Sequence, residues 1–193
     1  MAANRVGKTV AGGCEVTYHA TGEYPEWWTG YRIEGPSLIW AAGDTGKTTR
    51  DIIQLELLGP PGDFGTGLIP GERIIRTPSK QGISDAVEFI YVKHKSGGES
   101  VINLKSYDQR REAFQGGKPR VLWLDEECPE DIYGECLTRT MTNDGRVMLT
   151  FTPLQGLTQV VKSFVDESPL FGNGAKAGIP SAVPLAINEG GLS

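Results

Sequence analysis

The run Val121-Leu122-Trp123-Leu124-Asp125-Glu126-Glu127 carries the most chemistry in the chain. An apolar stretch ending in carboxylates reads as a buried strand that delivers Asp125 and Glu126 to the carboxyl edge of a parallel sheet, where α/β folds bind ligands. At such a place an aspartate can hold the water shell of Mg²⁺, and the next glutamate can polarise an attacking water. Side chains alternate along extended backbone, so only one of Glu126 and Glu127 can face the ligand. Taken alone, the same residues also describe a strand running into a solvated acidic turn. A phosphate-binding loop elsewhere in the chain would decide between the two.

Two segments fit that loop, each with Ala in place of its first Gly: Ala2-Ala3-Asn4-Arg5-Val6-Gly7-Lys8-Thr9 and Ala41-Ala42-Gly43-Asp44-Thr45-Gly46-Lys47-Thr48. The chemistry asks for backbone N–H groups facing phosphate oxygens, a lysine reaching the β and γ oxygens, and a hydroxyl on Mg²⁺. A following helix adds its positive N-terminal end. On local context the second segment is better placed, because it follows an apolar run and precedes a helical pattern. The first has only Met1-Ala2-Ala3 ahead of it. An ordinary Gly-Lys-Thr turn before a helix is the structural alternative for either.

The elements that must position these residues follow from periodicity and turn residues. Residues 9–20 read as a helix weakened by Gly12 and Gly13, and Tyr24-Pro25-Glu26-Trp27-Trp28 as an aromatic turn. Residues 37–42 form a short apolar strand bounded by Pro36 and Gly43. A helix over 48–58 stops at Gly59-Pro60-Pro61. Residues 73–76 are a possible strand. Residues 87–93 and 100–105 alternate around Ser96-Gly97-Gly98-Glu99 and predict an inserted β-hairpin near 87–105. Residues 130–140 read as a helix, Asn143-Asp144-Gly145 as a turn, 147–151 as a strand and 158–165 as a short helix. Strands alternating with helices predict an α/β fold with a mainly parallel sheet covered on both faces. The 172–193 stretch, rich in Gly, Ala and Pro, predicts a loosely held tail.

Composition bounds the class more than the function. At 38% hydrophobic and 22% charged residues, the chain has the make-up of a globular domain, and 193 residues suffice for one sizeable core. Its apolar runs are too short to cross a bilayer, and no secretory signal opens it. Cys14, Cys128 and Cys136 are widely spaced with no CxxC pair, which argues against a disulfide framework or a structural zinc and for a reducing cytoplasmic setting. A net charge of −5 does not point to nucleic acid, although a local basic stripe can sit on an acidic domain.

Several segments in order resemble the ATPase domain of tailed-phage terminase large subunits. Asn4-Arg5-Val6-Gly7-Lys8-Thr9 with Ala11-Gly12-Gly13 and Tyr24-Pro25-Glu26-Trp27-Trp28 is similar to their Walker A region. The later train is Trp40-Ala41-Ala42 leading to Thr48-Thr49-Arg50-Asp51, Phe114-Gln115-Gly116-Gly117, Leu122-Trp123-Leu124-Asp125-Glu126-Glu127 and Thr150-Phe151-Thr152-Pro153-Leu154-Gln155-Gly156. The last resembles the coupling motif that joins hydrolysis to movement. The match runs from about residue 2 to residue 164.

The resemblance implies a P-loop NTPase fold over residues 1–171, and it assigns the phosphate loop to Asn4, Arg5, Val6, Gly7, Lys8 and Thr9. Gly46-Lys47 is then incidental. Lys8 would contact the β and γ phosphates, Arg5 would be the arginine that these motors carry in the loop, and Thr9 and Asp125 would hold Mg²⁺. Glu126 would be catalytic, and Thr150 and Thr152 would serve coupling. The implied cofactors are ATP and Mg²⁺. The implied partners are double-stranded DNA, a portal protein, a small terminase subunit and further copies in a ring on the procapsid, in the cytoplasm of the infected bacterial host. An arginine supplied in trans would fit such a ring, with Arg110, Arg111 and Arg139 as candidates and surface salt bridges as their ordinary alternative.

Measured against that family, a strand and an adenine-contacting segment ahead of the loop and a nuclease domain behind it are missing, so the chain reads as truncated at both ends. Two other readings stay open: a catalytically silent terminase fragment, and an unrelated P-loop ATPase using Lys47.

Overall fold

The computed structural model describes residues 7–152 and 158–165. Asn4, Arg5 and Val6, the 153–156 part of the coupling segment and the 172–193 tail lie outside the described residues.

Helix α1 (Lys8–Thr21) opens on Gly7 with φ 79° and ends at Gly22 with φ 73°, whose N–H bonds to the Tyr18 carbonyl. Both positions need the left-handed backbone that glycine adopts without a Cβ penalty. Strand β1 (Leu38–Gly43) leads into the helical turn α2 (Gly46–Thr48), a π-helical segment (Thr49–Gln54) and α3 (Leu55–Leu58). Strands β2 (Ile74–Arg76), β3 (Phe89–Lys93) and β4 (Glu99–Ser106) come next. The chain continues through β5 (Val121–Asp125), α4 (Glu130–Thr140), β6 (Arg146–Thr150) and α5 (Gln159–Val165).

One six-stranded sheet runs in the order β2-β3-β4-β1-β5-β6. Strands β4, β1, β5 and β6 are parallel, and β2 and β3 extend the sheet antiparallel. The hairpin expected over 87–105 forms around Gly97 and Gly98, both with positive φ. It is not an appendage, because its second strand pairs in parallel with β1 in the body of the sheet.

Alternation sorts the strand residues onto two cores. Ile39, Ala41, Val121 and Trp123 face Val16 and Ala20 of α1 and Leu57 and Leu58 of α3. Trp40, Ala42, Leu122 and Leu124 face Ile132, Tyr133 and Cys136 of α4 and Val160 of α5. Every residue of β5 is buried, as a central parallel strand requires.

Two expectations are modified. Gly12 and Gly13 do not break α1, since they are where it closes on its neighbours: a Cβ on Gly12 would lie 2.4 Å from Trp123 Nε1, and one on Gly13 2.7 Å from Leu68 Cδ1. The 48–58 helix is interrupted by the π segment. There the Thr49 hydroxyl donates to the Lys105 carbonyl (3.1 Å), while the Gln54 amide donates to the Asp85 carbonyl and accepts from the Val87 N–H, both at 2.8 Å. These bonds tie the widened turn to β4 and to the chain before β3.

Cys128 and Cys136 are buried, Cys14 is partly so, and all three are free thiols. Burial pushes the Cys128 thiol up to about 12, which leaves it a core residue rather than a nucleophile. Among the described residues, no helix is long and apolar enough to cross a membrane.

Candidate functional site

Helix α1 begins at the carboxyl edge of β5 and β6, and its first two side chains reach across to them. Lys8 Nζ donates to Thr152 Oγ1 at 2.8 Å. Thr9 Oγ1 makes long contacts of 3.3 and 3.5 Å to the two carboxylate oxygens of Asp125. Thr150 Oγ1 donates to Asp125 Oδ1 at 2.6 Å and accepts from the Trp123 indole N–H, also at 2.6 Å. The direction of this relay is set by its buried end. Trp123 is wholly buried, and an enclosed indole N–H requires an acceptor, so the Thr150 hydroxyl proton points at Asp125. The missing side chain of Gly12 leaves room for the indole.

Asp125 is only 3% exposed. Burial raises its pKa, with Glu126 acting in the same direction, while the hydroxyls of Thr150 and Thr9 and the Lys8 ammonium oppose the rise. A desolvated carboxylate beside a hydroxyl is a fitting place for a hard cation. Among the described residues no group of three or more His, Cys, Asp or Glu could cage a metal. One carboxylate and one hydroxyl instead suit a cation such as Mg²⁺, which keeps several waters and takes phosphate oxygens for the rest of its shell.

Glu126 follows with φ 66°, an uncommon conformation for a residue with a Cβ, and its N–H donates to the Thr150 carbonyl at 3.0 Å. It lines a depression with Gly43, Asp44, Thr48, Ile52 and Asp125. The buried Tyr107 hydroxyl donates to the Asp125 carbonyl at 2.9 Å and pins the strand end from below. Burial drives that phenol far above its ordinary pKa, so it stays a donor. Glu127 turns elsewhere, its Oε1 accepting from the Thr158 hydroxyl at 2.5 Å. Left-handed backbone at Glu126 thus separates the two glutamates that sequence left as alternatives.

The second loop has the strand before it and helical turns after it that its sequence suggests, but its polar groups are committed within the protein. Thr45 and Thr48 form a reciprocal capping box, and the Gly46 N–H donates to Asp108 Oδ2 at 3.2 Å, where an anion would otherwise sit. Lys47 is exposed. Arg111 grips Glu135 Oε2 through two nitrogens at 2.9 and 2.8 Å, and Arg139 Nε reaches Glu135 Oε1 at 2.7 Å. Those two arginines therefore share one buried carboxylate, while Arg110 is exposed with φ 63°.

Sequence reasoning named Lys8, Thr9, Asp125, Thr150 and Thr152, which the fold gathers. It missed Trp123, whose apolar sequence neighbours mark it only as core, and Tyr107, which lies in the polar run Lys105-Ser106-Tyr107-Asp108. The signal was the polar atom on each, which burial obliges to find a partner.

A mainly parallel sheet with a Gly-Lys-Thr helix start above a strand-end Asp-Glu defines the P-loop NTPase class. Over residues 1–180 the chain matches the family described as terminase large subunit, T4likevirus-type, N-terminal, and it belongs to that family. It is 36% identical over 185 residues to the terminase large subunit of Salmonella phage P22, a match covering 86% of this chain and 37% of that protein. The fold is also that of the large terminase ATPase domain of Thermus phage P74-26, with a TM-score of 0.58 at 18% identity, covering 92% of this chain and 66% of that one.

Proposed function

We propose that this domain binds Mg²⁺-ATP at the start of α1 and hydrolyses it, and that the hydrolysis drives double-stranded DNA into a viral procapsid. The observation that carries the reading is the pair of contacts Lys8–Thr152 and Thr9–Asp125, with Asp125 held by Thr150. An amine, three hydroxyls and a buried carboxylate converge on a helix N-terminus, where backbone N–H groups and the helix dipole favour phosphate.

In this reading the loop from Asn4 to Thr9 wraps the phosphates, with Arg5 and Lys8 supplying charge. Thr9 and Asp125 hold Mg²⁺, which when bound neutralises the phosphate oxygens. Lys8 exchanges its bond to Thr152 for phosphate, so Thr152 changes partner as nucleotide loads. Glu126 holds the attacking water and takes its proton. Thr150 keeps the Asp125 carboxylate oriented throughout. Family membership supports the wider role: further copies in a ring, a portal protein and a small terminase subunit, acting in the cytoplasm of an infected bacterial cell.

Phosphate release measured with and without DNA tests the reading. Glu126→Gln should retain Mg²⁺-ATP binding and lose turnover by about 100-fold or more, because an amide cannot accept the water's proton. A Glu126→Gln protein with wild-type turnover, beside an inactive Glu127→Gln, would move the role one residue along. Absence of nucleotide binding in the parent chain would favour a catalytically silent fragment.

A further inference from the structure

Beside the site, one carboxylate has no role in the chemistry described so far. Thr158 Oγ1 donates to Glu127 Oε1 at 2.5 Å and accepts from the Val161 N–H at 3.3 Å. A single hydroxyl therefore both caps α5 and reaches the residue after Glu126. The other Glu127 oxygen is enclosed, with no hydrogen-bond partner among the described residues. A solvated acidic turn would leave that oxygen in water. Enclosing it costs free energy, and the contact to Thr158 offsets only part of that cost. Helix α5 is itself seated, since Val160 joins the core of Ile132, Tyr133 and Cys136 on α4.

We infer that Glu127 is a positioning residue, latching the loop that carries Glu126 to the start of α5. Asp125 and Glu127, two residues apart, thus hold two different elements: Asp125 takes Thr150 at the end of β6, and Glu127 takes Thr158 at the start of α5. A displacement of Glu126 as nucleotide binds then passes through Glu127 and Thr158 to α5. The inference rests on the ATPase reading and adds to it the path by which the nucleotide state leaves the site.

Hydrogen exchange on the full chain tests it, read at the α5 amides with Mg²⁺ alone, with Mg²⁺-ADP and with a non-hydrolysable Mg²⁺-ATP analogue. The wild type should show α5 exchange differing about fivefold or more between ADP and the analogue. In Glu127→Ala, nucleotide-free exchange at α5 should rise about tenfold, the loss of one hydrogen bond, and the nucleotide dependence should vanish. Glu127→Gln keeps an acceptor at the same place and should behave as wild type. Thr158→Val removes the donor together with the acceptor that caps α5, so in it only the nucleotide dependence is read, and its loss is expected there too should Glu127→Ala not fold.

A parallel titration should leave analogue affinity in Glu127→Ala within about threefold of wild type, less than one charge-assisted contact is worth. Unchanged α5 exchange in Glu127→Ala overturns the latch. So does a wild-type α5 indifferent to a nucleotide that binds. Lost affinity in Glu127→Ala would return Glu127 to the binding site and overturn it too. A wild type that binds no nucleotide fails in the titration instead, removing the ATPase reading and the inference built on it.

Discussion

Burial holds the Asp125 carboxyl above its usual range, while the Thr150 and Thr9 hydroxyls and the Lys8 charge only oppose the rise. An acid whose folded pKa is raised binds more protons folded than unfolded. Its stability contribution is therefore lost as pH climbs from the unfolded value, near 3.9, through the folded one. At neutral pH the ionised Asp125 is a cost in the nucleotide-free protein. Asp125→Asn keeps an acceptor for Thr150 and should raise the melting temperature of that form by about 2–4 °C, equivalent to about 1 kcal/mol. The same variant should lose the extra stabilisation that wild type gains from Mg²⁺-ATP. A lower melting temperature without nucleotide would mean that the charge is structural. Lys8, Thr9 and Asp125 were legible because their types and spacing are demanded by phosphate chemistry. The Trp123–Thr150 bond was not, since it joins residues 27 apart through the pairing of β5 with β6.

Close approach of elements explains what residue patterns alone misjudge. Gly12 reads as a weak point in a helix, yet the fold brings α1 so near β5 that a Cβ would meet the Trp123 indole at 2.4 Å. Gly12→Ala gains about 1 kcal/mol of helix propensity but overpacks a fully buried ring. A net loss of about 1–2 kcal/mol should appear as a lower urea midpoint, with weakened nucleotide binding as the relay to Asp125 shifts. A higher midpoint would show that α1 can slide away from β5 at no cost. Strands β1, β5 and β6 and helix α4 were legible to within a residue or so, because apolar runs and turn residues bound them tightly. The π segment was not, since its cause is tertiary: Thr49 and Gln54 bond to chain far off in sequence. The parallel pairing of β4 with β1 was hidden for the same reason, as a hairpin pattern says nothing about the strand's other edge.

At the scale of the molecule, the chain spans 37% of the length of the P22 terminase large subunit it matches, so motor behaviour is tested in a full-length setting. Thr152→Val there keeps side-chain shape and removes the hydroxyl that Lys8 contacts. ATP binding should stay within about tenfold of wild type, since one neutral hydroxyl contributes about 0.5–1.5 kcal/mol, while DNA packaging stops. Normal packaging by Thr152→Val would remove Thr152 from coupling.

The ATPase reading depends on which Gly-Lys-Thr segment holds phosphate: local sequence context favours the Lys47 segment, and the family resemblance favours the Lys8 segment. The strand and helical turns around Lys47 are real, but its loop is closed by Thr45, Thr48 and Asp108. Calorimetric titration of Mg²⁺-ATP into the wild type, Lys8→Ala and Lys47→Ala decides the matter. Lys8→Ala should weaken binding about 10- to 150-fold, the worth of a charge-assisted contact of about 1.5–3 kcal/mol, and Lys47→Ala should bind as wild type does. Tight binding by Lys8→Ala together with its loss in Lys47→Ala would contradict the account.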